Sequence, residues 1–242
     1  MRKIGRVRDI RRYPVSSVGG EAMRTVEVLP GGIVDDRRFA LFEASTGLAA
    51  APEREMRWRR AVFLSASQPP DGLPVLHFPD TTAYALDDRA LAEHLASYFG
   101  FAVALGIYGD ADVRFPVVSN RYQPAPLHLV TSASLEALQN VAGLSSIDPR
   151  RFRPSLVIDT EDGEGFLENA WIGQRIRIGD LQVDVTDATR RCGMTLVAQP
   201  GLDEEPEILR GIMRHNRRNL GVYATPCAPA TMTAGDDVYA ET

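Results

Sequence analysis

Hydrophobic and polar residues alternate in short stretches along much of the chain, and glycine or proline residues separate these stretches. A period of two is typical of β-strands that have one buried face. The pattern therefore predicts many short strands joined by tight turns. The predicted strands cover residues 3–10, 25–29, 33–43, 61–65, 74–78, 127–130, 155–159 and 219–224, the two arms of a hairpin at 175–185 with Gly179-Asp180 at its turn, and a short stretch within 234–239.

Three other stretches have the apolar spacing of an amphipathic helix. Residues 88–99 place leucine and aromatic residues on one face, and Gly100 is a typical helix end. A second helix follows Thr131-Ser132, whose hydroxyls can cap its first turn. A third follows the acidic residues 203–205 and ends in arginines, an order that suits the helix dipole. Few helices among many short strands predict a mainly β (α+β) protein.

A looser segment at residues 106–126, rich in glycine, aspartate and proline, marks the predicted domain boundary. The turn-separated strands before it indicate an all-β domain at residues 1–105. Residues 106–242 form the second predicted domain. A chain of 242 residues is long enough to bury a core in one large domain or in two smaller ones.

Composition and charge narrow the class of protein. Hydrophobic residues make up 44% of the chain and charged residues 24%, which is typical of soluble globular proteins. The net charge of −5 argues against general binding to nucleic acid or to a membrane surface. No apolar run is long enough to span a bilayer, and the N-terminus does not read as a secretion signal. Two cysteines, Cys192 and Cys227, are predicted to be free thiols in a reducing, cytoplasmic compartment.

The stretch from Val183 to Gln199 carries the first candidate chemistry. It is predicted to form a strand, a short loop with Cys192, and a second strand. Arg190 and Arg191 precede the cysteine, and fixed positive charges favour the thiolate form, which attacks electrophiles or binds soft metals. Hydroxyl residues, Thr189 and Thr195, lie on both sides. The alternative is that Cys192 is a small buried hydrophobic residue.

Arginines supply a second signal. Of the 27 basic residues only Lys3 is a lysine, and arginine forks bind phosphate through two parallel hydrogen bonds. Arginines at predicted strand ends, together with the helix start at Thr131-Ser132, indicate a local pocket for an anionic ligand. The alternatives are surface salt bridges and a plain helix cap. The arginines concerned are Arg150, Arg151, Arg153, Arg175, Arg190 and Arg191.

Several common site motifs are absent from the sequence. It contains no glycine-rich phosphate loop of the Walker or Rossmann type. It also contains neither H-E-x-x-H nor paired C-x-x-C, which argues against a zinc site. A dyad of Cys192 with His128 is sterically possible, but no spacing supports it.

Dispersed motifs resemble those of the MOSC domain family, and they run in the family's order along nearly the whole chain. Two near the N-terminus resemble the β-barrel domain that precedes MOSC, and the others resemble MOSC itself. They are Y-P-V-S-S near the start, G-I-V-D-D-R-R-F at 32–39, H-L-V-T-S-A-S-L at 128–135, R-F-R-P-S-L-V-I-D at 151–159, W-I-G-Q-R-I-R-I-G-D at 171–180, T-R-R-C-G-M-T at 189–195 and N-L-G-V-Y-A at 219–224.

This resemblance implies a β-barrel-like fold that binds the pyranopterin molybdenum cofactor (molybdopterin). The chain is similar to the bacterial and mitochondrial amidoxime-reducing proteins, molybdenum oxidoreductases that reduce small N-hydroxylated substrates. By the same resemblance Cys192 is the molybdenum ligand and the catalytic residue. The residues implied to hold the pterin and its phosphate are Ser16, Ser17, Arg37, Thr131, Ser132, Arg151, Arg153, Ser155, Thr189 and Arg191.

The sequence departs from the family pattern at several points. Ser16-Ser17 follow Y-P-V where many relatives have a lysine, and Ser155 replaces the asparagine that usually follows R-P. No iron–sulfur domain follows the MOSC motifs, so a reductase is expected to receive electrons from a separate iron–sulfur or haem protein with its own reductase. Two alternatives stay open: a non-redox carrier of cofactor or sulfur with a persulfide on Cys192, and a domain that binds no metal.

Overall fold

The strands expected from alternation are present in the computed structural model, which describes residues 1–109, 112–119, 125–161 and 163–240. Seventeen strands and three α-helices lie within these residues. The strands are β1 (Arg2–Arg12), β2 (Val15–Ser16), β3 (Glu21–Met23), β4 (Thr25–Leu29), β5 (Gly32–Ile33), β6 (Phe39–Glu43), β7 (Ser65–Ser67), β8 (Val75–His77), β9 (Ala83–Ala85), β10 (Val103–Ile107), β11 (Leu127–Thr131), β12 (Leu156–Thr160), β13 (Arg175–Ile178), β14 (Leu181–Arg190), β15 (Asn219–Pro226), β16 (Ala230–Thr233) and β17 (Asp237–Ala240); the helices are α1 (Leu91–Phe99), α2 (Ser132–Ala142) and α3 (Pro206–His215).

Seven strands close into a barrel. Their order is β12-β11-β15-β14-β13-β17-β1, and the pairing of β1 with β12 completes the ring. Side chains from alternate positions, such as Leu129, Ile176, Val183 and Val222, fill the interior. This arrangement follows from strict alternation, because period-two strands can turn all their apolar residues to the inside of a closed sheet. The mainly β, barrel-like fold predicted from the sequence is confirmed.

The sheet of β4, β5 and β16 packs against the barrel core through Val26, Val28, Ile33 and Met232, whereas two other small sheets surround a second core. β10-β6-β2 and β7-β8-β9 are three-stranded sheets, while β4 and β5 join β16 in a third. Trp58 is buried at the centre of this core and meets the rings of Phe99 and Phe101 edge-on. Its side chain is buried although most of the residues at 52–60 are charged. It lies on a 3-10 helix, Met56–Phe63.

Two predicted strands differ from the structure. The strand expected at 33–43 is two strands, β5 and β6, joined by a turn in which Asp35 and Arg37 have left-handed backbone angles. The turn is fixed because the Asp36 carboxylate accepts a hydrogen bond from the backbone N–H of Tyr13. The strand expected at 61–65 is also wrong, since residues 61–63 complete the 3-10 helix and β7 begins at Ser65.

All three predicted helices form. Gly100 ends α1 with a left-handed backbone (φ 80°). Thr131 caps α2 by accepting a hydrogen bond from the N–H of Ser134, and Glu205 caps α3 in the same way through Glu207. Because α2 starts directly where β11 ends, its first turn is held against the barrel.

Strand β1 connects the two halves of the chain. It comes from the first predicted domain but lies between β17 and β12 of the second. The predicted boundary segment at 106–126 includes residues 110, 111 and 120–124, which lie outside the described residues, so the boundary stays a prediction. Within the described ranges, no helix has the length and apolar character needed to cross a membrane.

Candidate functional site

A cavity of about 670 Å³ lies where the barrel meets the smaller sheets. It brings Ser16, Ser17 and Arg37 from the first half of the chain together with Arg153, Arg191 and Cys192 from the second. These residues are far apart in sequence, and each was predicted to belong to the site. The rest of the wall contains Gly31, Ile33, Asp35, Asp36, Arg38, Ala49, Ala50, Glu53, Tyr108, Gly109, Ala125, Pro126, His128, Phe152, Met194 and Tyr223.

Cys192 follows β14 in a short loop and is partly exposed to the cavity. The chain then forms one turn of 3-10 helix, Gly193–Thr195, so the second strand predicted before Gln199 is wrong. The reason is local: both the N–H and the hydroxyl of Thr195 donate to the carbonyl of Cys192, at 3.3 and 3.1 Å. The Thr195 hydroxyl therefore binds the backbone of Cys192, although the sequence placed it at the thiolate.

Arg191 lies buried in the cavity wall beside the cysteine, with 8% of its surface exposed. Its Nη2 donates to the carbonyl of Phe152 at 2.5 Å, and its Nη1 lies 3.3 Å from Nε2 of His128. Its Nε is buried and has no hydrogen-bond partner among the residues that the structure describes. Burial lowers the pKa of Arg191 to about 10, because the charged form loses its hydration.

Arg153 stands in a similar position on the neighbouring segment. Its Nη1 donates to the carbonyl of Val18 at 2.6 Å, whereas its Nη2 is buried without a partner. Burial lowers its pKa to about 10 as well. Its backbone has a left-handed φ of 52°, in a turn that follows the short 3-10 helix Pro149–Phe152. The structure therefore strains the chain at the point where it directs this guanidinium.

Two of the three acidic residues of the cavity pair with its other arginines, and the third, Glu53, lies 3.8 Å from Nε of Arg54. Asp36 forms an ion pair with Arg37, and Asp35 lies 3.3 Å from Nη1 of Arg38. Arg153 and Arg191 are held by carbonyl oxygens instead, and neither takes part in a salt bridge within the described residues. A buried cation without a counter-ion is unfavourable unless an anion neutralises it. The cavity is thus suited to an anionic ligand.

His128, which the sequence did not assign to the site, lines the cavity on β11. Burial, and next the charges of Arg191 and Arg37, hold the pKa of His128 well below 6.5. Its imidazole is therefore neutral and accepts from Arg191. No sequence signal identifies this contact, because it depends on the pairing of β11 with β15 and of β15 with β14.

Tyr13 is a second residue that sequence reasoning missed. Its ring is buried, and the guanidinium carbons of Arg37 and Arg153 lie 4.7 and 4.3 Å from the ring centroid. Its hydroxyl is buried without a hydrogen-bond partner, and burial raises its pKa. The Y-P-V motif was the available signal, but it was used only for the family resemblance and for Ser16 and Ser17, which follow it.

Five predicted site residues do not line this cavity; Arg151 is described below, and the other four are Thr131, Ser132, Ser155 and Thr189. The structure gives them local contacts with the barrel and with α2. Thr131 caps α2 and donates to Glu168 at 2.6 Å, Ser132 lies 3.1 Å from the hydroxyl of Thr160, the Ser155 hydroxyl accepts from the N–H of His128 at 3.1 Å, and Thr189 is buried with an unpartnered hydroxyl.

Glu168 is a buried carboxyl group behind the site, and the sequence did not predict it. One of its oxygens accepts from the hydroxyls of Thr131 and Ser134, and the other has no partner. Burial raises its pKa.

Arg151 faces away from the Cys192 cavity. It lines a second cavity of about 540 Å³, on the side toward α3. Its Nη2 donates to the carbonyl of Asp203 at 2.6 Å, and its Nη1 lies 3.5 Å from that of Val197. These carbonyls belong to the segment that follows Cys192. Arg151 therefore stabilises the backbone of the segment after Cys192, from the side away from the Cys192 cavity.

The residues of the first cavity fit a cofactor that combines a soft metal with an anionic group. Cys192 offers a sulfur ligand, and Arg153 and Arg191 offer unpartnered nitrogens. Among the described residues, no cluster of three or more His, Cys, Asp or Glu side chains could hold a metal ion by itself. A metal at Cys192 would therefore need further ligands from the molecule that carries it.

Comparison with known proteins agrees with the motifs. The model of the MOSC domain matches residues 113–239, so the chain belongs to the MOSC domain family. MOSC domains are linked to the molybdenum cofactor. A protein named molybdenum cofactor sulfurase, from Drosophila erecta, is 32% identical over 125 residues, which are 47% of this chain and 15% of that protein. The chain thus spans a small part of that relative.

The fold has a counterpart among solved structures. The YuaD protein from Bacillus subtilis superposes with a TM-score of 0.54 at 11% identity, covering 97% of this chain and 93% of that one. At this identity the similarity concerns the fold alone.

Proposed function

We propose that this protein binds the molybdenum cofactor in the cavity beside Cys192 and acts as an oxidoreductase on small N-hydroxylated substrates. The observation that carries the proposal is the pair of guanidiniums of half-buried Arg153 and buried Arg191, next to a cavity thiol. Desolvated cations of this kind destabilise the folded protein when no anion is bound, and they stabilise a bound phosphate. Membership of the MOSC family supports the choice of this cofactor.

Each residue has a role in this proposal. The Cys192 thiolate would ligate the metal, while Arg153 and Arg191, which line the cavity, would bind the anionic phosphate. Ser16 and Ser17 also line the cavity, in the place where many relatives have lysine, and the Ser17 hydroxyl donates to the carbonyl of Ala50 at 3.2 Å. When bound, the cofactor supplies a two-electron redox centre.

The proposed overall reaction reduces an N-hydroxyl group to the N–H compound. Two electrons and two protons are consumed, the N–O bond breaks, and its oxygen leaves as water. The electrons come from a separate iron–sulfur or haem protein, and the protons come from solvent that reaches the cavity. His128 is neutral in the cavity wall because its pKa is lowered, so the positive charges that line the cavity are those of the arginines.

A carrier of cofactor or sulfur is the second candidate. It is favoured by the relative named molybdenum cofactor sulfurase and by the partial exposure of Cys192, which leaves room for a persulfide. Turnover separates the two candidates. A reductase converts an N-hydroxylated substrate when a chemical electron donor is supplied, whereas a carrier holds the cofactor without turnover.

Binding of inorganic phosphate to the metal-free protein tests the anion site. We expect Arg153→Met and Arg191→Met each to raise the phosphate Kd about tenfold or more, because a charge-assisted contact is lost. The matched control is Arg175→Met, which removes an arginine paired with Asp184 away from the cavity. Equal phosphate binding by all three variants and the wild type would contradict the proposed site.

A further inference from the structure

Tyr13 lies under two guanidinium groups of the cavity. The Cζ atoms of Arg37 and Arg153 are 4.7 and 4.3 Å from the ring centroid, within the range of cation–π contact. The ring is buried, with 3% of the residue exposed. Both arginines line the cavity, whereas Tyr13 stands behind them.

The two guanidiniums are close to each other and carry like charges. Arg37 Nη2 donates to the carbonyl of Arg153 at 2.9 Å. The charge of Arg37 also contributes to the lowered pKa of Arg153. A negative π-face against both cations offsets part of this repulsion. Without the aromatic ring, this repulsion would be expected to move the long, mobile side chains of Arg37 and Arg153 apart.

The tyrosine hydroxyl does not explain why this residue is a tyrosine. It is buried and has no hydrogen-bond partner. The backbone of Tyr13 is engaged separately: its N–H donates to Asp36 at 2.6 Å, and its carbonyl accepts from the N–H of Arg37 at 2.7 Å. These bonds fix the ring next to Arg37 whatever the side chain is. The remaining contribution of the side chain is its aromatic face.

We propose that Tyr13 is a positioning residue whose ring holds Arg37 and Arg153 together as one anion-binding pair. The pair then presents the guanidiniums of Arg153 and of Arg37, whose Nη1 stays paired with Asp36, to the phosphate of the bound cofactor. This inference rests on the proposed function, because it assigns that phosphate to the Arg37 side of the cavity.

Fluorination of the ring tests this role without changing its shape much. Tyr13 is replaced by phenylalanine and by its monofluoro, difluoro and trifluoro forms, and the Kd of inorganic phosphate is measured for each metal-free protein. The matched control carries the same series at Tyr98, whose ring faces Arg60 at 4.3 Å outside the cavity. Thermal stability without phosphate is recorded for every variant, so that unfolding is not read as weak binding.

We expect Tyr13→Phe to bind phosphate within about twofold of the wild type, and the Kd to rise stepwise with fluorine to about three- to tenfold, as loss of a cation–π contact predicts. The Tyr98 series should stay flat. A merely structural ring would not follow the number of fluorine atoms.

Other outcomes overturn the inference. A Kd that ignores fluorination rejects the role of the π-face, and loss of binding already in Tyr13→Phe assigns the hydroxyl to the ligand. If Arg153→Met loses phosphate while the fluorinated series stays flat, the inference fails and the proposed function stands. If the wild type binds no phosphate, both fail.

Discussion

His128 Nε2 lies 3.3 Å from Nη1 of Arg191 in the wall of the cavity. A guanidinium can only donate, so the imidazole must accept and must be neutral. Protonation of His128 would place two cations in contact in a buried position. The arrangement is therefore stable only while His128 has no proton, which makes this contact sensitive to pH.

We predict that His128 makes the protein less stable in mild acid. In the folded chain the pKa of His128 lies well below 6.5, its ordinary value in the unfolded chain. At a pH between these two pKa values, the unfolded chain binds a proton that the folded chain does not. Stability from this group is complete above about pH 6.5 and falls as the pH is lowered, with a limiting slope of about 1.4 kcal/mol per pH unit. The nearby charges that oppose protonation are Arg191 and Arg37.

The measurement is urea unfolding of the wild type and His128→Gln between pH 5 and 8. The stability difference between them should change below pH 6.5 and be constant above it. His215→Gln, at the exposed end of α3, controls for loss of a histidine elsewhere. Parallel curves for the wild type and His128→Gln would contradict the neutral buried imidazole.

Glu168 should have the opposite pH dependence. Burial raises its pKa above 4.5, so the folded chain binds the proton more tightly than the unfolded chain. Its stabilising contribution is complete below about pH 4.5 and is lost as the pH rises through the folded pKa. Glu168→Gln keeps an oxygen to accept from Thr131 and Ser134 and cannot ionise. We therefore expect Glu168→Gln to gain thermal stability relative to the wild type as the pH rises. A difference in thermal stability that does not change with pH would contradict the raised pKa of Glu168.

Arg151 should affect the Cys192 loop without contacting the ligand. Arg151→Ala leaves the carbonyls of Val197 and Asp203 without their donor, and we expect a loss of about 1–3 kcal/mol. It should also change the alkylation rate of Cys192, because the following segment is released. Arg150→Ala, next to it but paired with Asp148, should cost about 1 kcal/mol or less.

The phosphate Kd of the same two variants provides the check. Unchanged stability and loop reactivity in Arg151→Ala, together with weaker phosphate binding, would return Arg151 to the ligand-binding set that the sequence predicted.

Most strands could be predicted from alternation, because burial of one face imposes period two wherever a barrel forms. The turn at Asp35 to Arg37 could not, since its geometry depends on a hydrogen bond between Asp36 and Tyr13, residues far apart in sequence. The strand prediction at residues 61–63 was wrong for a related reason. Apolar runs this short fit a strand or a helix, and here packing of Trp58 decides in favour of the 3-10 helix.

The candidate site was predictable where sequence motifs carry the chemistry. Cys192, Arg153 and Arg191 were recognised as residue types that bind soft metals and phosphate, and the fold brings them to one cavity. Arg151 and Arg153 are two residues apart yet face different cavities, because Arg153 adopts a left-handed backbone. His128 and Tyr13 act through neighbours that only the folded chain supplies.

The most direct test of the account is the molybdenum and pterin content of protein produced in a host that synthesises the cofactor. Wild type, Cys192→Ala and Cys227→Ala are compared, since Cys227 is an exposed thiol that lies outside the cavity. We predict about one molybdenum per chain in the wild type and in Cys227→Ala, and loss of molybdenum in Cys192→Ala with the fold unchanged by circular dichroism. Full molybdenum content in Cys192→Ala, or none in the wild type, would contradict the account.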